Sequence, residues 1–330
     1  MAEIYLDSNV YLSIAKREQF YEYTIAKINN LYKSGFIFPH SPAHGEEISA
    51  RILEGRDIEL ACRVANLISR YNGKKGYFPG FPNIEETEEI IAEMERCVEA
   101  NPELRSAISI HKKNLSEMRS GNFNKLRFRT GILNDGIDDC IFRVVKHLGL
   151  TDVATRTDLF HLGRRREETL KKNFSELQIS PDGVETFEKL RKKYKLETRR
   201  LANIGPDKLF TDERFLNFIR DQLLENGFDF DKVPKGGVLS NSHHKKEGLI
   251  TVILNSMEKA GYWQEDKNHV ATLVRRMHDV THAIYATGAK YFITSDSRFA
   301  KKVTATYLFL EIPTRVISTK QFVEESFVVA

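Results

Sequence analysis

The sequence predicts an α/β protein, with a parallel sheet assembled from both chain ends and a large all-helical insertion between them. Three observations predict this. Glu3-Ile4-Tyr5-Leu6-Asp7-Ser8-Asn9-Val10 is a short apolar run that stops on an aspartate. Lys290-Tyr291-Phe292-Ile293-Thr294-Ser295-Asp296 repeats that design near the other end. The middle of the chain is a succession of helical patterns almost without strands. The core is therefore expected over residues 1–55 and 241–330, and the insertion over 56–240.

After Asp7 a helix is expected from Val10 to Lys33, with Ile14, Ile25, Ile28 and Leu31 on apolar spacings and Ser34-Gly35 ending it. Gly35-Phe36-Ile37-Phe38-Pro39 is a short strand or an extended link. Ser41 as N-cap and Pro42 at the first helical position start the next helix. Glu46 and Glu47 follow in it. Successive helical residues point roughly 100° apart, so only one of this pair can serve a single ion, and Glu47 shares a face with His44. Helices are then expected at Leu60–Tyr71, from Ile84 toward Ala100, and near Glu103–Ser120, Asp135–Leu148, Asp158–Asn173, Pro181–Thr198 and Asp212–Glu225. Lys235-Gly236-Gly237 is expected as a turn. Helices at Leu249–Ala260 and Asn268–Ala286 and a strand at Thr314–Thr319 close the chain.

Four acids carry the chemistry. Asp7 and Asp296 end the two apolar strands, and such ends face the crevice where open α/β sheets bind ligands. Glu47 and Asp279 lie on flanking helices. Carboxylates gathered there repel one another unless a cation lies between them, and hard ions such as Mg²⁺ or Mn²⁺ prefer oxygen ligands. Each acid also has a structural use. Asp7 can cap the first helix, Glu47 suits a helix start, Asp279 can be solvated on an amphipathic helix, and Asp296 suits a turn.

The order Leu6-Asp7-Ser8-Asn9, Glu47-Ile48, Asp279-x-x-His282-Ala283-x-x-Ala286 and Thr294-Ser295-Asp296 resembles the PIN-domain nucleases, VapC-like proteins included. Arg298-Phe299 and the strand from Thr314 also look like that family's ending. The resemblance covers the two ends of the chain. It implies a Rossmann-like core and metal-dependent endonuclease activity, with RNA favoured over DNA. Asp7, Glu47, Asp279 and Asp296 would hold Mg²⁺ or Mn²⁺. Asn9, Thr294 and Ser295 would orient a carboxylate or a water, and Arg298 would contact the scissile phosphate. A toxin with a cognate inhibitory protein, a role in defence against phage, and RNA maturation are all compatible with it. Two other readings stay open. One is a haloacid-dehalogenase-like phosphatase, which wants Asp-x-Asp where this chain has Asp7-Ser8-Asn9. The other is a non-catalytic protein of the same fold that binds nucleic acid or regulates.

Composition sets outer bounds. The net charge over 330 residues is +4, so nucleic-acid affinity must come from local basic clusters. Those clusters are Lys125-Leu126-Arg127-Phe128-Arg129, Arg164-Arg165-Arg166, Lys171-Lys172 and the run from Lys189 through Arg200, all in the insertion. They can track a phosphate backbone or form solvated helix faces. Cys62, Cys97 and Cys140 lack metal-ligand spacing and fit a reducing compartment. No apolar stretch approaches the ~20 residues of a membrane span, and no leader is evident, so a cytoplasmic location without membrane contact is expected. A homo-oligomer is also compatible. His278 and His282 share a helix face but lack the His-Glu-x-x-His pattern, so these histidines, with His44, His243 and His244, are expected to be structural or exposed.

Overall fold

The computed structural model of the chain describes residues 2–41, 58–73, 104–121, 182–240, 243–264 and 270–327, with shorter stretches at 43–45, 47–48, 76–77 and between 87 and 102. Its sheet is parallel, in the order β1 (Ile4–Leu6), β2 (Tyr291–Thr294), β3 (Arg315–Ser318). Tyr5 pairs with Phe292, and Phe292 with Val316. Two isolated parallel bridges continue the pairing beyond β1, Ile37 on Glu3 and Gly76 on His40. Across the sheet the segments therefore run 76, 37–40, β1, β2, β3. The chain first steps from β1 toward one edge and later returns on β1's other side. The β1–β2 boundary is thus a topological switch point, where open α/β sheets hold ligands beyond the strand ends.

Side chains alternate across a strand, and here both faces are buried, which explains the unbroken apolar runs. Ile4, Leu6, Ile293 and Ile317 enter one core. It is completed by Val10 and Ile14 of α1 (Ser8–Lys16), Ile28 of α2 (Tyr21–Lys33), and Leu60 and Ile68 of α3 (Ile58–Tyr71). Tyr5 and Phe292 enter the other. There they meet Phe215 and Phe218 of α7 (Glu213–Glu225), Leu249 and Ile253 of α9 (His243–Ala260), Ala283 of α10 (Val270–Ala286) and Phe299 of α11 (Ser297–Leu310). The described residues also include the helices α4 (Leu104–Arg119), α5 (Asp182–Tyr194), α6 (Thr198–Ala202), α8 (Gly236–Ser240) and α12 (Thr319–Glu324).

Several details differ from the sequence expectation, among them α11 and α12, which had no counterpart in it. The helix expected from Val10 to Lys33 is two helices. Arg17 (φ 57°) and Phe20 (φ 69°) adopt the left-handed conformation, closing α1 and opening α2. No glycine, proline or asparagine marks this corner, so apolar spacing alone runs through it. Lys235-Gly236-Gly237 is not a free turn, because α8 begins at Gly236. Residues of α3 and α7, assigned to the insertion by sequence, contribute to the two cores beside both chain ends. Lys125–Arg129 and the helices expected near Asp135–Leu148 and Asp158–Asn173 lie outside the described residues. Among the described residues, no helix is long and apolar enough to cross a membrane.

Candidate active site at the carboxyl edge of the sheet

Asp7 leaves β1 in extended backbone (φ −60°, ψ 147°) and is fully buried. Its N–H donates to Ile293 O at 2.9 Å, which fixes it to the neighbouring strand. Its carboxylate does two things. Oδ1 accepts the N–H of Asn9 at 3.3 Å and so caps α1, and Oδ2 accepts the hydroxyl of Thr294 at 2.6 Å. Thr294 Oγ1 in turn accepts the N–H of Asp296 at 3.2 Å. Asp296 repeats the design of Asp7 one strand over. Its Oδ1 accepts N–H groups of Arg298 and Phe299 at 2.8 and 2.9 Å, capping α11. For both acids a capping role and a ligand role are compatible, because a carboxylate offers about four lone-pair sites and these hydrogen bonds use two on each.

The fourth side of the site is α10. His282 Nε2 lies 3.8 Å from Asp7 Oδ1 and 3.6 Å from Glu47 Oε1, and 3.1 Å from Ser8 Oγ. His278, one turn earlier, places Nδ1 3.9 Å from Glu47 Oε1. His282 Nδ1 shares a 2.7 Å hydrogen bond with the Tyr5 hydroxyl, which also bonds Ser41. His44 is locked in one tautomer. Its Nδ1 accepts the Ser41 N–H at 3.1 Å, so Nε2–H donates to Leu6 O at 2.8 Å. Burial, reinforced by neighbouring His282, pushes the His44 pKa well down, which agrees with that neutral form.

The two central acids are driven in opposite directions. Burial raises the Asp7 carboxyl, and the charge of Glu47 adds to it. His282, Thr294 and Asn9 offset this only in part. Burial also works against ionised Glu47, but contacts from His282, His278 and Ser8 outweigh it and hold its pKa at about 2. Glu47 therefore stays an anion beside a buried acid whose charge is disfavoured.

The other expected site residues distribute as follows. Asp279 is buried and lines a cavity of about 20 Å³ with Glu258, Arg276, Phe299 and Lys302. Asn9 contributes its backbone N–H to Asp7. Ser295 is exposed and lines a separate cavity of about 490 Å³ with Phe20 and Tyr23. Arg298 donates from Nη1 to Gln264 O at 3.2 Å. Arg164, Arg165, Arg166 and Glu46 lie outside the described residues. The structure thus gathers Asp7 and Glu47 about one imidazole and ties Asp296 to Asp7 through Thr294. Among the described residues, no group of three or more His, Cys, Asp and Glu side chains is arranged to hold a metal ion.

Tyr5, Ser8 and Ser41 were not expected as site residues from the sequence, where Ser41 read only as a helix N-cap, and the histidines were expected to be structural or exposed. The available signal was the His278–His282 pair, one turn apart and flanking Asp279, opposite a strand that ends in Asp-Ser. No protein-family model, curated protein or solved structure matches the chain.

Proposed function

We propose that this protein is a metal-dependent phosphodiester hydrolase, a nuclease of the PIN-like kind, acting at the carboxyl edge of the sheet. One observation carries the reading: Asp7 and Glu47 approach the same His282 nitrogen at 3.8 and 3.6 Å, at the switch point between β1 and β2. The order 76, 37–40, β1, β2, β3 supports a Rossmann-like arrangement.

The residues suit a hard divalent cation. Asp7 and Glu47 offer hard carboxylate oxygens on either side of the His282 nitrogen, and the buried Asp7 carboxyl is disfavoured as an anion, which a cation would reverse. Asp7 and Glu47 would hold Mg²⁺ or Mn²⁺, with Asp296 and Asp279 as the further acids of the site. The cation would supply charge neutralisation at the phosphate and activation of water. The chain's own part is positioning. Thr294 fixes the Asp7 carboxylate, Tyr5 fixes the His282 ring, and His282 holds the two acids close. RNA is the first substrate to test.

A metal-free serine hydrolase is a weaker account of the same residues. Ser8 reaches His282 Nε2, but Nδ1 faces a tyrosine hydroxyl, whereas a triad places the orienting acid there. The test is cleavage of end-labelled single-stranded RNA and DNA with Mg²⁺, Mn²⁺ or EDTA. Metal-dependent cleavage lost in Asp7→Asn supports the nuclease. Cleavage that survives EDTA and is lost in Ser8→Ala would replace it with the serine reading. Binding without cleavage would leave a nucleic-acid-binding protein.

A further inference from the structure

We propose that the groove between α5 and α6 binds the phosphate backbone of a nucleic acid and leads it to the acidic edge of the sheet, an inference that rests on the nuclease reading above. The groove measures about 540 Å³ and is lined by Arg191, Lys192, Lys195 and Arg199, with Glu188 and Glu197 as its acids. Cations outnumber acids there, in a molecule whose net charge is only +4, so the excess is local. Lys192, Lys195 and Arg199 are exposed, and among the described residues none of them joins a salt bridge.

The remaining cation is built into the wall. Arg191 donates from Nε to Lys259 O at 2.8 Å and from Nη2 to Gln264 Oε1 at 2.9 Å. These hydrogen-bond partners are uncharged, and the acids that act on Arg191 through space are Glu258 and Glu188. Gly261, with φ 85°, lets α6 approach the end of α9. A Cβ there would come within 2.3 Å of Thr198 Cγ2. Lys195 itself takes φ 54°, a conformation that ends helices and usually falls to glycine, so a lysine is present where a smaller residue would be less strained.

Continuity with the acids gives the groove its direction. Gln264 receives Arg191 on its side chain and Arg298 on its carbonyl, the latter at 3.2 Å. The N–H of Arg298 lies 2.8 Å from Asp296 Oδ1. One residue therefore joins the basic groove to the turn that carries Asp296. A phosphate chain seated on Lys192, Lys195 and Arg199 would meet Arg298 next, and then the acidic edge.

The experiment uses the full chain, a fluorescein-labelled 20-nucleotide single-stranded RNA, EDTA to prevent cleavage, and anisotropy over a salt series. Replacing Lys192, Lys195 and Arg199 together by Gln should weaken binding about tenfold at low salt. It should also flatten the log–log salt slope by roughly two units, since each single-strand phosphate contact contributes about 0.7. Lys192→Gln alone should flatten the slope by about 0.7, whereas Lys193→Gln, which removes one charge from the same helix but faces Tyr194 and Asp221, should change neither affinity nor slope. Unchanged affinity and slope in the triple variant would overturn the inference and leave the nuclease reading standing. Loss of binding in the triple variant, with no metal-dependent cleavage by wild type, would uphold the groove and overturn the nuclease. A wild-type chain that does not bind the RNA would overturn the groove, as would polyglutamate of equal length competing as well as the RNA, which would assign the groove to an acidic protein segment.

Discussion

Asp7 and Glu47 occupy one small volume and should respond to pH with opposite sign. Asp7 has its folded pKa raised, so the folded state holds a proton that the unfolded state has released. Its contribution to stability falls as pH rises from the usual aspartate range through the raised value. Asp7→Asn removes that cost. We expect a higher melting temperature than wild type at pH 7 in EDTA, with the gap closing as pH drops below the usual aspartate range. Glu47 is the reverse case. Its folded pKa of about 2 lies below the unfolded value, so its contribution is complete above the usual glutamate range and disappears as pH falls toward about 2. Glu47→Gln should therefore destabilise the protein at pH 7, on the order of 3 kcal/mol for a shift of this size. Urea unfolding of both variants from pH 2.5 to 7 reads the two signs. Equal destabilisation by both substitutions would mean that Asp7 is as well compensated as Glu47.

The element that organises the site is the β2–α11 turn. Thr294 ends the strand, bonds Asp7 and accepts from Asp296, while Asp296 starts the helix. Thr294→Val keeps the β-branched shape and removes the donor to a buried carboxyl. A loss of about 1–3 kcal/mol is expected, with cation affinity lowered about tenfold, the scale seen for groups that orient ligands. Ser295→Ala, one residue on and exposed, should leave both unchanged; calorimetry on the pair checks this. The strand-end acid of this turn was legible in the sequence, from Thr-Ser-Asp after an apolar run, but the helix that Asp296 caps was not, because Asp296 read there only as a turn residue. The corner at Arg17–Phe20 was not, since its left-handed residues are of types that rarely take that conformation. The partners of His282 were not legible either. Tyr5 and His282 are 277 residues apart in sequence, and only the sheet register and the packing of α10 bring them together.

On the scale of the whole molecule, the sheet separates two cores and shares strands with both. Ile4, Leu6 and Ile293 belong to one, and Tyr5 and Phe292 to the other. The two should therefore unfold as one unit. Phe292→Ala, in the fully buried middle strand, is expected to cost about 3–5 kcal/mol. It should lower a single denaturation transition without splitting it; two separated transitions would show that the cores are independent. The parallel sheet built from distant chain ends was legible from the repeated strand-Asp pattern. The participation of α3 and α7 was not, because an amphipathic helix does not announce which sheet face it will cover.

The most direct test of the acidic edge as a cation site is a calorimetric titration of Mn²⁺ into the EDTA-treated, dialysed chain at pH 7, wild type beside Asp7→Asn. Saturable binding to wild type is expected, abolished or weakened at least tenfold in Asp7→Asn, with both proteins folded by circular dichroism. Equal Mn²⁺ affinity in the two proteins, or no binding to wild type, would contradict it.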